Sequence, residues 1–294
     1  MSKRSPVLIL GGSGWIGSAC RQATLLSGSA FLAPSRSWVS NFLSQRMSGT
    51  RLSEISSLGI RGVINCIRPS GDVDGLQAYV RDSQLFAQIC LDLDLPYIHL
   101  GSAAEYGLSY QNQISESFDP KPESAYGIAK LLATEIALKH GATVLRPFNL
   151  MGPGQPAHTV VGDWVNQILK SGDCPRVLLQ HPAHIRDFVS PNFLANVALR
   201  AIELGLPGHV LNVCSGQGHA FIDVVRRLIS ARFGHSGIEN VDHFIRLGNS
   251  GDTCTSVIGN PGKLEALGFS SHDSLVRLSE SLFSSSDANS EDVK

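Results

Sequence analysis

The strongest constraint on the fold lies at the start of the chain. Val7-Leu-Ile-Leu10 is an unbroken apolar run, the pattern of a parallel strand buried on both faces. It leads directly into Gly11-Gly-Ser-Gly-Trp-Ile-Gly17, and an apolar helical pattern, Ser18-Ala-Cys-Arg-Gln-Ala-Thr-Leu-Leu26, follows. Strand, glycine turn and helix in that order open a βαβ unit, so an α/β fold built on a doubly wound parallel sheet of Rossmann type is expected. The glycines fit both a Gly-x-Gly-x-x-Gly frame (12, 14, 17) and a Gly-x-x-Gly-x-x-Gly frame (11, 14, 17). Each permits a tight turn, close backbone approach to a pyrophosphate, or close helix–strand packing. Gly11, Gly12, Gly14, Trp15, Ile16 and Gly17 are therefore expected to cradle a dinucleotide at the helix N-terminus; the alternative is a merely structural turn.

An NAD site usually places an Asp or Glu about 20 residues on, where it accepts from the adenosine 2′-hydroxyl. Here no acidic residue precedes Glu54. Instead Pro34-Ser-Arg-Ser37 follows the second strand, Ala30-Phe-Leu-Ala33, so Ser35 and Arg36 could hold a 2′-phosphate. NADP(H) is expected over NAD, the alternative for Arg36 being a solvated loop arginine. Residues 38–58 read as a short helix in an abbreviated crossover, and Val63-Ile-Asn-Cys-Ile67 as a further buried strand.

The remaining composition excludes other classes. A chain of 294 residues with 43% apolar content can build a large core as one domain or two intimate ones. Net charge of −1 and a pI near 6.8 carry no nucleic-acid footprint. The six cysteines are scattered without a Cys-x-x-Cys and read as reduced thiols, and no apolar run approaches the roughly 18 residues of a membrane span. A cytoplasmic protein is expected.

Candidate chemistry sits at Leu100-Gly-Ser-Ala-Ala-Glu-Tyr-Gly107 and Tyr126-Gly-Ile-Ala-Lys130. Tyr126 and Lys130 are four apart at a helix start, so phenol and ammonium share a face. A tyrosine acting as acid and base near neutrality needs its pKa lowered from about 10, and a neighbouring cation is expected to do so. Ser102 ends a strand-like run, where its hydroxyl could reach the same carbonyl. Alone, Tyr-x-x-x-Lys is more often a surface helix pair.

Glycine turn, serine and Tyr-x-x-x-Lys in this order resemble the extended short-chain dehydrogenases/reductases, the NAD-dependent epimerase/dehydratase family, from about Pro6 to Leu282. The resemblance implies that Ser102, Tyr126 and Lys130 are catalytic and that Lys130 also holds the nicotinamide ribose. Val144-Leu-Arg-Pro-Phe-Asn-Leu-Met-Gly-Pro-Gly-Gln155 and Val210-Leu-Asn-Val-Cys-Ser-Gly216 resemble GDP-4-keto-6-deoxymannose reductases most, implying that Asn149 contacts substrate. Arg186-Asp-Phe-Val189 resembles a segment whose arginine pairs with the substrate diphosphate, the alternative being a pair between Arg186 and Asp187.

The chain also departs from the pattern. Arg68-Pro69 stands where relatives often have alanines beside the nicotinamide, Arg81-Asp82 where the long helix often has asparagine, and Asn192 where many have aspartate. The sugar-nucleotide 4,6-dehydratases carry an acid pair after the catalytic hydroxyl, and here Ala103 and Ala104 cannot carry a proton, which argues against elimination. Glu105, by alternation along an extended stretch, is expected to point away from that face. His181-Pro-Ala-His184 lacks a third ligand at a recognisable spacing, so no metal is expected.

A Rossmann domain over 1–152, with 187–214 returning to it, is expected to interleave with a smaller α/β substrate lobe formed by 153–186 and 215–283, ahead of a disordered tail, 284–294. The implied reaction is NADPH-dependent reduction of a nucleotide-linked 4-keto-6-deoxyhexose by a homodimer. The alternatives are an NAD-dependent nucleotide-sugar 4-epimerase, or a catalytically idle NADP-binding sensor or scaffold.

Overall fold

The computed structural model describes residues 5–44, 49–69, 71–108, 112–171, 176–234, 241–248, 254–271 and 273–284. The expected tail therefore lies outside the described residues, apart from Ser284, as does Cys174. In chain order the structure forms β1 (Val7–Leu10), α1 (Trp15–Leu26), β2 (Phe31–Leu32), α2 (Arg36–Ser44), α3 (Gly49–Ser57), β3 (Gly62–Asn65), α4 (Val73–Asp92), β4 (Tyr97–Leu100), α5 (Ala125–Lys139) and β5 (Thr143–Pro147). There follow β6 (Asn149–Leu150), α6 (Val160–Lys170), β7 (Val177–Leu179), β8 (Ile185–Val189), α7 (Pro191–Leu204), β9 (Val210–Val213), β10 (Gly218–Ala220), α8 (Phe221–Phe233), β11 (Ile245–Leu247), β12 (Ser256–Val257), α9 (Gly262–Glu265) and α10 (Leu275–Ser281).

Two compact units result: residues 1–108, 116–147 and 192–213, and residues 109–115, 148–191 and 214–294. The first unit ends at Pro147 rather than at 152, and residues 187–191 stay with the second. Strand pairing explains the shift, since β6 lies parallel to β8 with Asn149 opposite Phe188 and Leu150 opposite Val189.

The first unit is a six-stranded sheet in the order β2-β1-β3-β4-β5-β9, parallel throughout. Its direction of winding switches at β1, with β2 on one side and β3 on the other, as a doubly wound sheet requires. The crossover from β2 to β3 carries two helices and, among the described residues, no strand. Every residue of β1, β3, β4 and β5 is buried, which is why Val7–Leu10 reads as a continuous apolar run and the others as mainly apolar ones. On one side of the sheet α2 meets α4 through stacked Phe42 and Phe86, 5.7 Å between ring centroids. Beside it α4 packs on α5 around Tyr79, Ala129 and Ala133, where the two alanines permit close helix approach. A strand buried in this way contributes about 1.5–3 kcal/mol for each large apolar side chain, enough to make the sheet the rigid part of the unit.

The second unit is built around β8, which pairs with β6, β10 and β12. A two-stranded parallel pair, β7 with β11, lies beside a core of Val161, Trp164, Ile168, Val224, Leu228 and Leu278 contributed by α6, α8 and α10. No described helix is long and apolar enough to cross a membrane. The described cysteines are free; Cys20, Cys90 and Cys214 are buried, Cys66 is half-buried and Cys254 is exposed.

Candidate active site

The glycine turn closes between β1 and α1. Gly11 has φ of +72°, and a Cβ there would lie 3.1 Å from the carbonyl of Cys66 and the nitrogen of Ile67, so only a glycine lets the turn pass this close to the segment after β3. A Cβ on Gly17 would collide with the Gly11 carbonyl oxygen and come within 2.7 Å of Gly12 Cα; this glycine sets helix–turn packing. At Gly14 a Cβ would meet only the Gly11 oxygen, at 3.3 Å. Gly14 is also the N-cap of α1, has no side chain to cap it, and is followed by a first turn without acidic residues. An open, uncapped helix start of this kind suits a phosphate, so the turn and the N–H groups of Trp15 and Ile16 fit a dinucleotide.

Ser35 caps α2: its hydroxyl accepts from Trp38 N at 3.2 Å and lies 2.8 Å from Ser37 Oγ. Arg36 is exposed as the first residue of that helix, just past the carboxyl end of β2.

In a parallel sheet the residues after each strand gather on one edge, here Gly11 after β1, Cys66 to Arg68 after β3 and Ser102 after β4. Ser102 begins a 3₁₀ turn, Ala103–Glu105, and its Oγ accepts from Ala104 N at 3.1 Å, leaving the hydroxyl proton to donate. Ser124 caps α5 and puts Tyr126 in its first turn, facing that hydroxyl. Close packing brings the two together: a Cβ on Gly127 would lie 2.5 Å from the Ala104 carbonyl oxygen. Lys130, one turn further along α5 and almost wholly buried, has its Nζ 5.9 Å from the Tyr126 ring centre.

The electrostatics correct one expectation. Burial pushes the Tyr126 phenol above the ordinary tyrosine range, outweighing the Ser102 hydrogen bond and the charge of Arg68, both of which favour the phenolate. Two cations flank this phenol, Arg68 and Lys130, each 5.9 Å from the ring centre, and burial outweighs them. Lys130 is itself displaced: burial lowers its pKa to about 8 against the opposing influence of Glu105 and Cys66.

Glu105 also differs from expectation. The backbone is 3₁₀ rather than extended there, and the carboxylate is buried beneath Ser102. Oε1 accepts from Ser102 N (2.8 Å) and Thr134 Oγ1 (3.0 Å), and Oε2 accepts from Arg146 Nε (2.8 Å). Arg146 lies 4.6 Å from the Tyr106 ring centre, and Tyr106 donates to Asn212 Oδ1 at 2.8 Å. Two signals in the sequence foretell this group: Ser102-x-x-Glu105 is a capping-box pattern, and Arg146 stands in a buried strand where a charge needs a partner.

The two expected substrate residues lie in the second unit. Asn149 is exposed on β6. Arg186, on β8, donates to the carbonyls of Ile185 (2.8 Å) and Thr255 (2.9 Å) and to Thr255 Oγ1 (2.8 Å). Asp187 instead accepts from Ser215 N, Ser215 Oγ, Gly216 N and Gly259 N, so the alternative of an Arg186–Asp187 pair does not form. Successive residues on a strand face opposite ways, which separates them. His181 and His184 stack at 4.7 Å between ring centres, and among the described residues no three His, Cys, Asp or Glu gather to hold a metal ion.

The family model for the NAD dependent epimerase/dehydratase family matches residues 7–214. Among characterised relatives, the chain is 29% identical over 167 residues to a GDP-6-deoxy-D-talose 4-dehydrogenase of Aggregatibacter actinomycetemcomitans, covering 55% of each chain. This chain thus spans about half the length of that relative. It is 28% identical over 248 residues to a dTDP-6-deoxy-L-talose 4-dehydrogenase (NAD(P)(+)) of Kitasatospora kifunensis, covering 76% of this chain and 78% of the relative. Among solved structures, a dTDP-glucose 4,6-dehydratase of Bacillus anthracis in complex with NAD superposes with a TM-score of 0.80 at 16% identity over 97% of both chains, a likeness of fold. With more than half its length matched by the family model, the chain belongs to the NAD dependent epimerase/dehydratase family.

Proposed function

We propose that the protein uses NADPH to reduce the 4-keto group of a nucleotide-linked 4-keto-6-deoxyhexose. The observation that carries this reading is the placing of Tyr126, in the first turn of α5, beside Ser102, with buried Lys130 one helical turn on, at the edge of the sheet where the glycine turn lies. When bound, the dinucleotide supplies a hydride. Tyr126 gives its proton to the carbonyl oxygen as charge develops there, and Ser102 hydrogen-bonds the same oxygen. A phenol held above its ordinary pKa keeps that proton at neutral pH, which suits reduction. Lys130 holds the nicotinamide ribose, the glycine turn from Gly11 to Gly17 holds the pyrophosphate, and Ser35 with Arg36 takes the 2′-phosphate. Asn149 and Arg186 are assigned to the substrate, Arg186 to its diphosphate.

Ala103 and Ala104 offer no proton carrier for eliminating water, which favours ketoreduction over dehydration. Both relatives are named for oxidation at position 4 of a 6-deoxyhexose, and the reverse of that step is the reduction proposed. Free thiols support a cytoplasmic setting. Ile128 and Leu132, 48% and 47% exposed at i, i+4 on α5, support a homodimer through that face.

The test offers NADPH and NADH in turn with GDP-, dTDP- and UDP-linked 4-keto-6-deoxy sugars and follows the nicotinamide absorbance. Consumption of NADPH with one of them is expected. Tightly held NAD⁺ and equilibration of a 4-hydroxy sugar without reductant would replace this reading with a 4-epimerase. Firm NADPH binding without turnover of any sugar would point to a sensor or scaffold.

A further inference from the structure

Lys130 is held by two acceptors from other elements of the first unit. Its ammonium donates to the Leu100 carbonyl at the end of β4 (2.8 Å) and to Tyr79 Oη on α4 (3.0 Å). A phenol that accepts from an ammonium has its own O–H left to donate, and His99 Nε2 lies 3.3 Å away. His99 is wholly buried on β4, and its Nδ1 has no hydrogen-bond partner among the described residues. The chain of donors runs from Lys130 through Tyr79 to His99 and stops there. Such a dead end cannot carry protons to water, but it can hold a group in place.

We infer that Tyr79 and His99 are positioning residues for Lys130, the phenol fixing the ammonium and the imidazole fixing the phenol's hydroxyl. The inference deepens the proposed function, because it rests on Lys130 belonging to the catalytic group. The packing explains why the contact is possible: Ala129 and Ala133 on α5 leave room for the Tyr79 ring.

Other groups also face this ammonium. Glu105, from the 3₁₀ turn, and Cys66, after β3, favour its charge, while Arg68 opposes it. Tyr126 faces it from its own helix. His99 is neutral, pushed down to about 3 by burial and by Lys130 itself. Removing the Tyr79 oxygen leaves all of these in place and takes away one of the two acceptors.

The experiment labels the full chain, which has seven lysines, with ¹³C,¹⁵N-lysine. The side-chain resonance of Lys130, assigned with Lys130→Met, is titrated by NMR in wild type, Tyr79→Phe, His99→Leu and His99→Gln. Tyr79→Phe is expected to lower the Lys130 midpoint by about one pH unit, because an acceptor for the charged form is lost. His99→Leu lowers it by less, and His99→Gln, whose amide oxygen can accept from the phenol, restores it. In turnover, kcat of Tyr79→Phe falls about tenfold with KM nearly unchanged, and its pH profile moves with the NMR midpoint. An unchanged midpoint in a folded Tyr79→Phe protein overturns the inference. A shifted midpoint in a protein that reduces no nucleotide sugar supports the positioning role and sinks only the reaction assigned above.

Discussion

Replacing Glu105 with glutamine keeps the side chain's shape and removes its charge. The carboxylate serves donors on two sides, Ser102 N and Thr134 Oγ1 at one oxygen and Arg146 Nε at the other. Water cannot substitute, since the side chains of Arg146 and Glu105 are 5% and 0% exposed. An amide can present its oxygen to one side only. Facing Ser102 and Thr134, it sets its NH₂ against the Arg146 N–H and leaves a buried guanidinium without a counter-charge; flipped, it loses Ser102. Removing one member of a buried pair costs about 3–5 kcal/mol, and the Tyr106 ring beneath Arg146 offsets about 1–2 kcal/mol of that. We expect Glu105→Gln to lose about 1–4 kcal/mol in urea unfolding followed by circular dichroism. The double variant Glu105→Gln/Arg146→Met buries no unpaired charge and should be more stable than the single one. A loss below about 1 kcal/mol, or a double variant no more stable than the single, would refute the view that this pair supports the turn carrying Ser102.

Gly127→Ala should force α5 away from the Ala104 carbonyl, costing about 1–3 kcal/mol in thermal unfolding and at least about tenfold in kcat through displacement of Tyr126. Arg36→Ala should reduce the preference for NADPH over NADH, measured as a kcat/KM ratio, by about tenfold or more; an unchanged ratio would return Arg36 to the solvated loop. Lys130→Met should abolish turnover yet stabilise the protein at neutral pH. A buried lysine whose pKa falls from 10.5 to about 8 opposes folding fully below pH 8, and the folded chain regains that stability as pH rises toward 10.5. The variant should therefore gain about 3 kcal/mol at pH 7 and lose the rise in stability above pH 8, as read from urea midpoints across pH.

What could be read ahead of the structure was local. The run Val7–Leu10, the glycines and the following helix announced the sheet because every step of that pattern is enforced between neighbours in the chain. Helix α8, Phe221–Phe233, is legible for the same reason, an apolar stripe at helical spacing. Helix α7 starts at Pro191, since proline is pre-organised for a first helical turn. Strand β11 is not legible in the sequence because Ile245-Arg-Leu247 is short and its partner β7 lies far along the chain. At the site, the order of Ser102, Tyr126 and Lys130 was legible, whereas the acidity of the phenol was not. A spacing of four places an ammonium nearby but says nothing of burial, and burial outweighs the nearby charge at Tyr126. Glu105 does not follow the alternation of an extended stretch because the chain turns there as a 3₁₀ helix, and its partner Arg146 lies 41 residues away.

The account stands most directly on where the hydride goes. NADPH carrying deuterium at both C4 positions of the nicotinamide, incubated with the accepted 4-keto-6-deoxy sugar nucleotide, should deliver one deuterium to hexose C4, with Tyr126→Phe slowing the transfer by at least about a hundredfold. Label at another carbon, no label in the sugar, or a Tyr126→Phe protein as fast as wild type would contradict it.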